Sequence, residues 1–255
     1  MSRTRWWVAV AAVSMVLGAG CSDDASTAVP ASTTTVPGRP INQEEAGRLA
    51  DTLLHNSEAG GASVAAVVPY GVATITLTGE IDWTNHVGRV HLHSDVPTSS
   101  ATGNADFDIV WSPTTVAQTL PGLADALRTA GQPPATWVSV PLDPTTSPLH
   151  VVLGLIDSAA SIQRDNPIGL LSKNIVHVRA DTVDGSAVDV FNLGNSSYWV
   201  DTAAVLHRIE AQLASTHSTA TITFSDRGPR TIETPTDVVA ASTIPDIYAR
   251  LTKTK

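Results

Sequence analysis

The sequence has almost no cysteine: its 255 residues contain only Cys21. A single thiol excludes an internal disulfide, a cysteine-rich zinc site and an iron–sulfur cluster. Charged residues are also few, at 15% against about 25% in an average soluble protein. Hydrophobic residues make up 42% of the chain, which is enough for a core of ordinary size. The length suits one large domain or two small ones.

Basic residues are fewer than acidic ones. The chain has 15 Lys and Arg against 24 Asp and Glu, and its formal net charge is −9. Binding to nucleic acid needs clustered Lys and Arg that release counterions from phosphates. We therefore expect no nucleic-acid partner.

Motifs of catalysis and phosphate binding are absent. The sequence contains no G-x-S-x-G nucleophile elbow and no G-x-x-x-x-G-K phosphate loop. These absences predict a protein that is not an enzyme and has no cofactor. A hydrolase whose catalytic residues are scattered along the chain is the weaker alternative.

The first twenty residues have the layout of a secretory signal peptide. Arg3 and Arg5 precede an apolar run from Trp6 to Leu17, and small residues lead to Cys21. This ending resembles the lipobox of bacterial lipoproteins, in which the cysteine thiol receives a diacylglycerol and becomes the new N-terminus. An ordinary secreted protein with a chance cysteine and a signal anchor are the alternatives. No later stretch of 18 residues is continuously apolar, so we expect the mature chain to be anchored to the membrane rather than to span it.

The next segment, residues 21–40, is rich in Ser, Thr, Ala and Pro. Such a composition buries too little apolar surface to offset the entropy lost on ordering, which predicts a disordered tether. We expect one folded domain over residues 41–255.

Helical and strand periodicities both occur in this domain. Asn42 followed by Glu45 is a capping box and predicts a helix over 43–57, ended by Gly60 and Gly61. Alternation of apolar and polar residues from Ala73 to Trp83 predicts a strand with one wet face. Further strands are predicted at Arg89 to His93, around residues 106–111, at 137–140, 176–181, 198–200 and 222–224, with a hairpin turn at Asp184-Gly185.

Four more segments complete the predicted fold. Helices are predicted from Pro121 and from Pro148, the second apolar on most sides and therefore covered by a sheet or by a ligand, and a short one over 244–251. Residues 205–213 fit a strand or a helix. Consecutive half-buried strands favour antiparallel pairing, so the predicted class is α+β with one antiparallel sheet of eight or more strands and three or four helices.

Several pieces of the chain, taken in order, resemble one family. The lipobox at Cys21 and the tether are followed by Thr78-Gly79-Glu80-Ile81-Asp82, by ADTVDGSAVDVF at 180–191, by Tyr198-Trp199-Val200-Asp201 and by ATITFSDRGPRTIETP at 220–235. They are similar to the actinobacterial LppX/LprA/LprF/LprG lipoproteins, which share a fold with the LolA-type carriers. The resemblance implies a curved antiparallel half-barrel roofed by helices, with an apolar cavity for lipid or glycolipid acyl chains. It also favours a strand over 205–213.

A cavity of this kind needs no polar side chain, since each buried acyl CH₂ is worth about 0.8 kcal/mol. For each of the wall candidates the competing interpretation is a solid core. The candidates, taken from the predicted strands and roof helix, are Ile75, Leu77, Ile81, Trp83, Val90, Leu92, Phe107, Ile109, Trp111, Leu153 and Ile156.

Two polar clusters offer alternative sites. His91 and His93 share one strand face, with His86 and Asp95 nearby, which is a spacing that zinc can use; a solvated strand face is the favoured interpretation, and no metal is expected. Glu80 and Asp82 could form the carboxylate pair of a glycosidase. They continue a polar strand face, so we interpret them as solvent-exposed.

The sequence thus predicts a lipoprotein on the extracytoplasmic face of the cell membrane that carries or presents lipid or glycolipid. Its partners would be the lipid ligand, the membrane through the lipid anchor at Cys21, and an envelope transporter of unknown identity. The alternative is a structural or partner-binding lipoprotein with a filled core and no ligand.

Overall fold

The computed structural model describes residues 38–95, 105–145, 147–214 and 216–252. All of them belong to one compact unit that extends from Val36 to Lys255. Cys21, the predicted signal peptide and residues 21–37 of the predicted tether lie outside the described residues.

Helices are few and mostly short. The bounds are α1 Gln43–Ala59, α2 Leu123–Thr129, α3 Pro148–Asp157, α4 Pro167–Leu171 and α5 Pro245–Thr252, with a 3₁₀ turn at Ala241–Thr243. The predicted capping box is present: the Asn42 side chain accepts from the backbone N–H of Glu45, and the Glu45 carboxylate accepts from that of Asn42. Gly60 ends α1 with φ of 79°, a left-handed conformation that favours glycine.

Within the described residues, thirteen strands form a single open sheet. In chain order they are β1 Arg39–Pro40, β2 Gly61–Tyr70, β3 Ala73–Asp82, β4 Val87–Asp95, β5 Ala105–Trp111, β6 Thr115–Thr119, β7 Trp137–Pro141, β8 Val176–Val183, β9 Ser186–Asn192, β10 Ser196–Asp201, β11 Leu206–Leu213, β12 Ser218–Ser225 and β13 Val238–Ala240. Their order in the sheet is β1-β8-β9-β10-β11-β12-β2-β3-β4-β5-β6-β7-β13. Every pair is antiparallel except β13 with β7, and the predicted α+β class with a large curved antiparallel sheet is confirmed.

Several local predictions are confirmed and others need correction. Residues 206–213 form a strand, and the Asp184-Gly185 hairpin adopts positive φ at both positions, as its turn type requires. Strand β2 was not predicted, because its apolar run lacks a clean alternation. Pro121 lies before α2, whose first helical residue is Leu123. The helix predicted from Pro148 is present as α3 and ends at Asp157.

The main core lies between the inner face of the sheet and the helices α1, α3 and α4. A second, smaller core packs α2 against α5 and β7, around Leu123, Leu127 and Val138. Gly88 is required where the indole of Trp111 crosses β4, because a Cβ at residue 88 would lie 2.0 Å from that ring. Within the described ranges, no helix combines the length and the apolarity needed to cross a bilayer.

Candidate functional site

The residues predicted to line a cavity are packed into the main core. Nine of the eleven are buried: Leu77, Ile81, Trp83, Val90, Leu92, Ile109, Trp111, Leu153 and Ile156. Ile75 and Phe107 are half-buried and pack against the same cluster. Their orientation towards the inner face agrees with the alternation in the sequence. Contact of any of them with a lipid stays a prediction.

Helix α3 closes directly on this part of the sheet. The indole N–H of Trp83 donates to the carbonyl of Ile156 over 3.0 Å, and the amide of Asn56 donates to that of Ala159 over 2.7 Å. Trp83 also contacts the ring of Phe224, with 5.7 Å between ring centroids. Large aromatic side chains therefore fill the space that the sequence pattern assigned to a ligand.

A pocket of about 330 Å³ lies elsewhere, between α1, the segment that carries α4, and the turn between β9 and β10. Its residues are Leu49, Thr52, Leu53, Asp165, Leu170, Lys173, Asn174, Ile175, Leu193, Gly194 and Tyr198. Leu49, Leu170 and Ile175 are buried, so the floor is apolar. None of the eleven predicted wall residues lines this pocket.

The mouth of the pocket is polar. Asp165 and Lys173 are exposed there, and neither has an ion-pair partner among the residues that the structure describes. Burial raises the pKa of the Tyr198 phenol, and the negative charge of Asp165 raises it further, so Tyr198 is neutral at physiological pH. The pocket therefore combines an apolar floor with one carboxylate and one ammonium at its entrance.

Ion pairs hold the first two turns of α1 next to this pocket. Nη2 of Arg48 donates to Oδ2 of Asp189 over 2.7 Å, and Nε2 of His177 lies 2.9 Å from Oδ1 of the same carboxylate. Burial alone would raise the pKa of Asp189, but these hydrogen bonds outweigh it and the pKa is lowered. The guanidinium of Arg39 similarly lowers the pKa of Glu45 through two hydrogen bonds. Strands β1, β8 and β9 thus position α1 over the pocket.

The histidine cluster lies on the outer face of the sheet. Antiparallel pairing of β4 with β5 places Nδ1 of His91 3.1 Å from Oδ1 of Asp108, and Nδ1 of His93 2.6 Å from Oδ1 of Asp106. Nε2 of His93 is also 2.9 Å from Asp95. In the described part of the chain, no group of three or more His, Cys, Asp or Glu residues could hold a metal ion.

The two carboxylates considered as a glycosidase pair have separate structural partners. Glu80 lies 3.4 Å from Nε of Arg230. Asp82 is buried rather than solvent-exposed, and it accepts hydrogen bonds from the backbone N–H groups of Thr84 and Asn85 in the turn after β3. The expectation that Asp82 continues a wet strand face is therefore wrong, because this carboxylate caps the β3–β4 turn.

Sequence reasoning missed the residues of the pocket. A signal for α4 is nevertheless present, since Asn166 followed by Pro167 is typical of a helix start; in the structure the Asn166 side chain accepts from the N–H of Ile168 over 3.0 Å. No local pattern indicates that α4 and the β9–β10 turn, about 25 residues apart in the chain, would face each other across a gap.

No protein-family model and no curated protein matches the sequence. Among solved structures, LprF from Mycobacterium bovis is similar, with 15% sequence identity over 78% of this chain and 99% of that chain, at a TM-score of 0.43. An uncharacterized conserved protein from Thermus thermophilus is similar at 11% identity over 77% and 99% of the two chains, at a TM-score of 0.39. LprF is one of the lipoproteins that the sequence motifs resemble.

Proposed function

We propose that this chain is a lipid-binding lipoprotein, without enzymatic activity, anchored through Cys21 to the extracytoplasmic face of the cell membrane. The observation that carries the proposal is the pocket under α1, with its apolar floor and charged mouth. Leu49, Leu170 and Ile175 offer a surface that gains from burying a hydrocarbon chain. Lys173 and Asp165 suit a polar head group that remains in water.

The volume limits the ligand. At about 330 Å³, the pocket is roughly twice as large as a 150 Å³ cavity that takes up a benzene molecule. It therefore accommodates one chain of roughly a dozen carbons, and a larger lipid or glycolipid would leave its other chains and its sugars outside. The protein would carry or present such a lipid with one chain inserted.

The competing function is a structural or partner-binding lipoprotein without a ligand. The observation that favours it is the burial of the predicted wall residues, which form a filled core under α3. Native mass spectrometry of the mature protein separates the two functions. A retained lipid supports the carrier, whereas a single ligand-free mass from several expression hosts contradicts it.

A pair of variants on α1 tests the pocket itself. Leu53 lines the pocket, while its neighbour Leu54 is also half-buried and lies outside it. An indole at position 53 would displace about two methylenes of the ligand, so we expect Leu53→Trp to weaken binding of a fluorescent dodecanoate about tenfold. Leu54→Trp is the matched control, and an equal loss of affinity in both variants would contradict the assignment of this pocket.

A further inference from the structure

Exposed apolar side chains concentrate beside the pocket. Ile162 and Ile168, at 83% and 77%, are the most exposed large apolar residues that the structure describes. Leu171, at 41%, belongs to the same segment. Helix α4 places Leu170 in the floor of the pocket while Ile168 and Leu171 face solvent. The cover of the pocket is therefore apolar on both its inner and its outer side.

A second group of exposed apolar side chains lies at the same end of the strands as the pocket. Tyr70 and Val72 are exposed in the β2–β3 hairpin. The Ser218 hydroxyl at the start of β12 donates to the carbonyl of Pro69, and at the end of β11 the backbone N–H of Gln212 donates to that of Asn195. These contacts connect the hairpin, through consecutive strands, to the turn that lines the pocket, about 14 Å away at the usual strand spacing.

The N-terminal end of the folded unit also lies beside the pocket. Arg39 pairs with His177, and the N–H of Ile41 donates to the carbonyl of Ile175, a pocket residue, over 3.4 Å. Sixteen residues separate Cys21 from Gly38, and they span at most roughly 58 Å when fully extended. An anchor at Cys21 would therefore keep this part of the molecule within that distance of the membrane.

We propose that one face of the protein, here called the docking face, inserts into the surface of the lipid bilayer. A lipid chain can then pass between the bilayer and the pocket without crossing water. The docking face consists of Ile162, Ile168, Leu171, Tyr70 and Val72. The inference rests on the proposed function, whose pocket and anchor it uses. Aliphatic side chains enter the acyl boundary, and tyrosine is favoured at the head-group level. Asp165 and Lys173 carry opposite charges, so these two side chains together add no net charge at the mouth.

The mature protein, reconstituted in phosphatidylcholine vesicles, allows a direct test. A lipid on Cys21 blocks the only native thiol, so Ile168→Cys can carry a single fluorophore. Val238→Cys is the matched control, because Val238 is an exposed valine on β13, at the opposite end of the sheet order from β1 and β8. We expect quenching by bromolipids to be several-fold greater at residue 168 than at residue 238.

A second measurement follows transfer of fluorescent dodecanoate from vesicles to the protein. Replacing Ile168 and Leu171 by Ser should slow transfer by about tenfold for each side chain, while Val238→Ser leaves the rate unchanged. Equal quenching at residues 168 and 238, with dodecanoate still bound, would overturn the proposal that this face docks on the bilayer. That result would hold equally if a second copy of the chain or another protein covered the face. Loss of dodecanoate binding with quenching retained would instead contradict the pocket. Intact mass reports separately whether Cys21 carries lipid.

Discussion

The two halves of the inner face are covered in different ways. Over β2 and β12 the cover is α3, a regular helix whose buried Val152, Leu153 and Ile156 belong to the same core cluster as the aromatic side chains of Trp83 and Phe224. Over the β9–β10 turn the cover is formed by α1 and by the five-residue helix α4, which has irregular chain on both sides.

The irregular cover is held on α1 rather than on the sheet. The backbone N–H groups of Ser161 and Asp165 donate to the carbonyls of Leu53 and Ala50, over 2.9 and 3.1 Å. Because these backbone groups pair with α1, the position of the segment is set by α1. The pocket therefore exists where the cover is irregular, whereas a regular apolar helix fills the space beneath it.

Truncation of one leucine in each half should show the largest difference between the filled core and the pocket. Leu77→Ala leaves a cavity in a filled core and should lower the free energy of unfolding by about 2–5 kcal/mol. Leu53→Ala removes a half-buried side chain next to existing space, so its cost should be about 1 kcal/mol. Urea denaturation of both variants checks the difference. Similar losses would mean that the pocket wall packs as tightly as the core.

Acid should weaken the ion pairs beside the pocket. The folded-state pKa values of Glu45 and Asp189 lie below their usual 4.5 and 3.8. Their stabilisation is therefore complete above those usual values and is lost as pH falls through the lowered ones. Asp189→Ala, which leaves Arg48 without this partner, should cost about 1–2 kcal/mol at neutral pH and reduce the acid dependence of unfolding followed by circular dichroism. An unchanged acid profile would show that these pairs do not stabilise the fold.

The exposed histidine cluster on the outer face should show the smallest effect, with the opposite sign. Hydrogen bonds that the His93 ring donates to the carboxylates of Asp106 and then Asp95 raise its pKa above the usual 6.5. The stabilisation is present below pH 6.5 and is lost as pH rises through the raised pKa. A proton NMR titration of His93 should show the upward shift, and Asp106→Asn or high salt should reduce it. A titration insensitive to both would contradict the pairing.

Local signals in the sequence predicted much of the fold. The capping box at Asn42, the alternation through Ile75 and Leu77 and the Asp184-Gly185 turn each act within a few residues, so the pattern specifies the element. Strand β2 was missed because it pairs on both sides and its apolar residues do not alternate cleanly. The β4–β5 pairing that joins His93 to Asp106 needed the register, which the sequence does not state.

The candidate site was harder to predict than the fold. Side chains such as Ile109 and Trp111 were correctly assigned to the inner face, but burial on that face does not distinguish a core from a cavity wall. That distinction depends on whether facing volumes fill the gap to native density, a property of several elements at once.

The sequence by itself therefore determined the α+β class, the inner and outer faces of the strands, and the expectation of a lipoprotein anchored at Cys21. Only the tertiary structure decided where space is left, because the gap beside Tyr198 depends on how α4 and the β9–β10 turn meet α1 across the sheet. Periodicity reports which side of an element avoids water, and it carries no information on the distance to the element opposite.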